Sequence, residues 1–119
     1  MSAHRIKTYS AESGYVFQYS FQVSRRAKRG WLTPGNEYIF EVSRDRKTAY
    51  LLPVFVRDDA TRAWAKRHGR ALSDAECYAA AKMCLFRTFD RAEDAEKELG
   101  EAVVDLNNVE ELLQLLGIA

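Results

Sequence analysis

The sequence predicts an α+β domain, an antiparallel sheet of three to four strands with helices packed on one face. Three observations carry that reading. Segments of period two come first and segments of helical period follow them, the order expected of an α+β rather than an alternating α/β chain. The first two strand-like segments alternate apolar with polar residues, so each has one wet face. The period then changes abruptly at Asp58-Asp59, a helix-start signal.

Residues 1–13 show no periodicity and read as a flexible tail ahead of a single domain over 14–119. In the first strand, about 15–24, Phe17, Tyr19, Phe21 and Val23 alternate with Gln18, Ser20, Gln22 and Ser24. The run SRRAKRGW over 24–31 then reads as a long polar hairpin loop. Thr33-Pro34-Gly35-Asn36 reads as a type II turn, proline presetting one φ and glycine taking the positive one. A second strand, about 36–43, puts Tyr38, Phe40 and Val42 on one face, and Arg44 to Lys47 makes a short hairpin connection. The third strand, about 48–56, is apolar on both faces, which suits a central position, whereas its Pro53 lacks an N–H and suits an edge or a bulge. The sequence leaves both open.

A helix over about 59–68 is capped by Asp58 or Asp59, turns Ala60, Ala63 and Trp64 inward, and ends with Gly69 at C′. Ser73 with Glu76 forms a capping box that opens a longer helix, about 74–89, with Cys77, Tyr78, Ala81, Cys84, Leu85 and Phe89 on a wide apolar arc. Asp90 with Glu93 repeats the box for a short acidic helix, about 91–99. A brief β-like run over 101–106 is the fourth strand. Asn107 or Asn108 caps a last helix, about 108–116, whose Val109, Leu112, Leu113 and Leu116 make a buried stripe.

Composition bounds the chemistry. At 119 residues and 47% hydrophobic content the chain is long enough for one core. No run approaches the roughly 18 apolar residues of a membrane span, and the N-terminus lacks an apolar signal region, so a cytoplasmic protein away from the membrane is expected. No GxSxG elbow, glycine-rich phosphate loop or HExxH motif is present, and no cofactor is expected. With His4 and His68 as the two histidines, metal-ligand spacing is lacking too. A thiol mechanism would pair Cys77 or Cys84 with His68, but both thiols lie on an apolar arc where desolvation keeps them protonated. Seven residues of helix rise about 10 Å, too far for the two to form a disulfide. The acids from Glu93 to Glu101 read as a solvated face.

Charge is the strongest remaining signal. Met1 to Arg70 holds 14 Lys and Arg against 6 Asp and Glu, net +8, and Ala71 to Ala119 holds 4 against 11, net −7. Arg25, Arg26, Lys28 and Arg29, with Trp31 beside them, form one cationic group, and Arg62, Lys66, Arg67 and Arg70 a second. Cations with an aromatic neighbour suit non-sequence-specific nucleic acid or another polyanion. The sheet aromatics Tyr15, Phe17, Tyr19, Tyr38 and Phe40 are better used in the core than as a stacking platform. The alternative is protein interaction or self-association, as a homodimer, in which the basic half meets an acidic surface and Trp31 with its arginines anchors the contact. The chain's own acidic helix neutralising the loop is the bland counterpart. A small-molecule or thiol enzyme is the distant alternative.

Overall fold

The computed structural model describes residues 5–31, 33–44, 46, 48–93 and 97–118. Within them the chain runs β1 (Lys7–Ser10), β2 (Val16–Arg29), β3 (Thr33–Arg44), β4 (Ala49–Arg57), α1 (Asp58–His68), α2 (Asp74–Asp90), β5 (Ala102–Val104) and α3 (Val109–Leu115). The five strands form one sheet in chain order. The first three pairings are antiparallel, as expected, but β5 lies parallel to β4, so the sheet is mixed.

Pairing register sorts the side chains by face. Phe17, Tyr19, Phe40, Val42, Leu52, Val54 and Val56 fall on one face and share a core with Trp64 of α1, Leu85 and Phe89 of α2, and Leu112 and Leu113 of α3. The helices therefore cover that face. Aromatic packing is dense, with Phe17 stacked on Phe89 at 4.2 Å and Tyr9 on Phe86 at 4.3 Å. The Ser73–Glu76 capping box is present, and Gly69 takes the left-handed conformation that ends α1, donating its N–H to the Ala65 carbonyl. Asp58 and Asp59 lie in the first turn of α1 and do not cap it.

Pro53 is reconciled by position. It stands opposite Ile39, one residue before the three that pair with β5. β4 is thus an edge strand up to Pro53 and a central one beyond it, which allows a residue without an N–H at that position.

Four expectations change. Lys7–Ser10 of the supposed tail is an edge strand, held further by Tyr9 donating to the Asp90 carboxylate (3.0 Å) and by Ser13 donating to the Phe89 carbonyl (2.8 Å). The basic run is not a loop: β2 continues through Arg29, which pairs with Thr33, and the chain reverses at Gly30 (φ 53°) and Trp31. Pro34 and Gly35, read as a turn, belong to β3 opposite Lys28 and Ala27. None of the described residues of 91–99 is helical, residues 94–96 of that stretch lying outside the described set. Asp90 is instead the last residue of α2, and its carboxylate accepts from Tyr9 and from the Glu12 N–H.

Candidate functional site

The hairpin of β2 and β3 carries the first group of predicted residues, and a register shift between Phe21 and Val23 decides how they point. Alternation resumes one residue out of phase after this bulge. Arg26 and Lys28 join the helix-covered face, whereas Arg25 and Arg29 join the opposite one.

On that opposite face Glu37 is buried, its side chain 8% exposed, between two guanidinium groups. Arg25 Nε donates to Glu37 Oε1 at 2.8 Å, and Arg29 donates to Glu37 Oε2 and to Glu101. Hydrogen bonding from Arg29, then from Arg25, holds the Glu37 carboxyl below its ordinary range despite burial. Arg29 also lies 4.7 Å over the Phe55 ring, which is how Phe55 is buried on a face that carries no helix. Arg29, bonded to two carboxylates and largely covered, is therefore committed to the fold, whereas Arg25 bonds Glu37 and stays mostly exposed.

On the helix-covered face Arg26 reaches α1. Its Nη atoms donate to Asp58 at 2.9 and 2.5 Å and to Asn36 Oδ1 at 3.1 Å. Arg62 follows Asp58 by one helical turn and Lys66 by two, so all three lie along one stripe of α1; Arg62 is close enough to help lower the Asp58 carboxyl, an effect led by the Arg26 hydrogen bond. Lys28, Arg62 and Lys66 are exposed and form no ion pair among the described residues. The structure thus joins part of each cationic group into one surface. Trp31, 93% exposed, stands at the hairpin's tip beside it.

Arg67 and Arg70 are carried elsewhere. Arg67 lies 3.5 Å from Glu110 of α3, which His68 also meets at 2.9 Å, while Arg70 bonds Glu76 at 2.9 Å and lies 5.0 Å over the Trp64 ring. Glu37, Asp58 and Glu101 meet the hairpin's arginines among the described residues, and of these Glu101 belongs to the acidic half.

The thiol candidates are poorly placed for attack. Cys84 is buried, donates to the Val103 carbonyl at 3.6 Å and is pushed up to about 11 by burial. Burial also raises Cys77, and His68 is held by Glu110 and stacked on Trp64 at 4.2 Å. Among the described residues no group of three or more His, Cys, Asp and Glu is placed to hold a metal ion, and no helix is long and apolar enough to cross a membrane.

An open groove of about 600 Å³, which the sequence did not reveal, runs between the hairpin and the start of α2. Phe21, Tyr38 and Tyr78 floor it, and Arg26, Asn36 and Asp74 stand at its rim. Phe21 and Tyr78 meet edge to face at 5.1 Å and are only half-buried. The clue was Phe21, a ring at the end of a strand's apolar alternation, where core burial runs out. Comparison of the chain with protein-family models, with curated proteins and with solved structures gives no match.

Proposed function

We propose that this chain is a non-enzymatic binding domain that contacts polyanions, nucleic acid above all, with little sequence preference. The observation that carries the reading is the bond from Arg26 to Asp58, which sets the hairpin against α1 and aligns Lys28, Arg26, Arg62 and Lys66 on one surface. Lys28, Arg62 and Lys66 are exposed and form no ion pair among the described residues, and Arg26, 60% exposed, can exchange Asp58 for a phosphate. Salt dependence is the test. With four phosphates neutralised, log K falls against log salt with a slope of about −3.6 on duplex DNA, so a fourfold rise in salt costs about a hundredfold in affinity. Absence of binding to DNA and RNA at low salt refutes the reading.

The exposure of Trp31 supports a second reading, a protein-interaction or self-associating domain. An indole open to solvent on a rigid hairpin, flanked by arginines, has the composition of an interface anchor. Light scattering of the wild type and of Trp31→Ala separates the two readings: association that is lost in the variant favours a protein contact, and a strict monomer removes self-association.

A further inference from the structure

Past Tyr78, where the lining of the groove ends, the same side of α2 carries a further cation beside the rings of β2. One helical turn on, Lys82 places its Nζ 5.8 Å over the Tyr19 ring and 5.9 Å over the Phe86 ring. Tyr19 is two residues from Phe21 on the same face of β2, and Lys7 of β1 pairs with Tyr19, so the amines of Lys7 and Lys82 come within hydrogen-bonding reach of each other. Neither amine has a carboxylate partner among the described residues. Burial disfavours the protonated form of Lys82, and the neighbouring Lys7 ammonium adds repulsion to that cost. An anion between them reverses both penalties.

Read from one end to the other, the face bounded by α2 and β2 presents Arg26, then the rings of Phe21 and Tyr78, then the paired lysines. Seven residues of β2 separate Arg26 from Tyr19, a length of about 23 Å. A strand of nucleic acid a few nucleotides long spans that distance, with phosphates at the cationic ends and bases between. Asp74, at the rim beside the rings, opposes a phosphate there but accepts hydrogen bonds from the exocyclic amines of bases.

We propose that this groove is a binding site for a short single-stranded segment of nucleic acid, its bases stacked on Phe21 and Tyr78 and its phosphates held by Arg26 and by the Lys7–Lys82 pair. The proposal rests on the polyanion reading and adds to it a preference for bases over bare charge. Duplex DNA, whose bases are already stacked, does not gain from the rings.

The test is fluorescence anisotropy with a short labelled oligodeoxycytidine, whose bases carry exocyclic amines, set against inorganic polyphosphate, which has the charge and no bases. The intact protein is expected to prefer the oligonucleotide. Tyr78→Ala is expected to weaken oligonucleotide binding by about tenfold or more and to leave polyphosphate binding unchanged. Lys82→Gln removes one phosphate contact and is expected to lower the salt slope by about 0.7. If Tyr78→Ala does not fold, as judged by circular dichroism, Lys82→Gln and Lys7→Gln decide by the same slope. Equal binding of oligonucleotide and polyphosphate, with the salt slopes unmoved by the lysine variants, overturns the groove and leaves the polyanion surface standing. Binding of neither at low salt overturns both.

Discussion

Arg26 in β2 donates two hydrogen bonds to the carboxylate of Asp58, the first residue of α1, across 32 positions of sequence. The pair is where the hairpin and the helix become one surface. It also sets the Asp58 carboxylate in competition with an outside anion for Arg26, because a phosphate must displace that carboxylate to bond the same guanidinium. Asp58→Asn is therefore expected to raise affinity for a polyanion and to leave its salt slope near that of the wild type, since Arg26 meets a phosphate in both proteins and only the competing carboxylate is gone. Lower thermal stability should accompany the gain, since an acid in the first turn of a helix favours the helix dipole. Anisotropy at several salt concentrations measures both; an unchanged or weakened affinity would mean that Arg26 serves the fold alone.

Glu37 makes stability depend on acid. Arg29, and after it Arg25, hold its carboxyl below the ordinary value, and Arg26, Arg57 and Arg70 do the same for Asp58, Asp59 and Glu76, the last lowered to about 2. Each of these groups has a folded value below its unfolded one. Each therefore contributes stability that is full above about 4.5, the unfolded range, and is lost as pH falls through the depressed folded value. Urea unfolding of the wild type is expected to show a falling midpoint between about pH 4.5 and pH 2. Glu37→Gln should lose about 2 kcal/mol at pH 7, as the charge-assisted bonds of a largely buried group go, and should show a flatter acid limb. An acid limb identical to that of the wild type would show that Glu37 is not the group being titrated.

The strands and helices that bury an apolar stripe were legible in the sequence, and the polar stretches were not. Phe17, Tyr19, Phe40 and Val42 announced their face by alternation, and α2 announced itself by its Ser73–Glu76 box. In the distal half of β2, Arg25 and Arg29 face one way and Arg26 and Lys28 the other, so polarity on both sides left no alternation to read. The bulge after Phe21 hid the change of phase as well. The grouping of the cations was legible only in part for the same reason: sequence spacing placed Arg62 and Lys66 on one stripe of α1, but carboxylates on other strands and helices, Glu37 and Glu110, drew Arg25, Arg29 and Arg67 away from that surface. Lys7 and Lys82 lie 75 positions apart, and only the packing of β1 beside α2 brings them together.

Gly35 shows a different kind of misreading, and it yields a stability prediction. Its glycine is required by closeness and not by a turn: a Cβ there would stand 2.7 Å from Phe55 Cζ and still nearer the Val56 carbonyl oxygen. The ring is confined by Arg29 above it, and the carbonyl belongs to the paired strand β4, so neither can give way freely. Gly35→Ala is expected to cost about 1 to 3 kcal/mol, the range for overpacking a tight site. Chemical denaturation measures it. A variant as stable as the wild type would mean that β3 and β4 are further apart here than the register implies.

The two tryptophans report separately on tip and core. Trp31 is 93% exposed, whereas Trp64 is 1% exposed beneath Arg70 and His68, with its Nε1 donor unpaired among the described residues. Wild-type emission should therefore contain a red component that acrylamide quenches readily and a blue component that it barely reaches. Trp31→Phe should remove the red component and leave stability unchanged, because the indole packs on little. If the spectrum left behind is still red and easily quenched, Trp64 is not buried and the α1 packing is wrong. Ligand titration then locates the contact: an oligonucleotide bound along Lys28, Arg26 and Arg62 passes beside the hairpin tip and should perturb the red component, whereas one confined to the groove by Tyr78 should leave it unmoved while Tyr78→Ala still abolishes the preference for bases. The same pair of spectra thus separates the basic surface from the groove without requiring either variant to lose its fold.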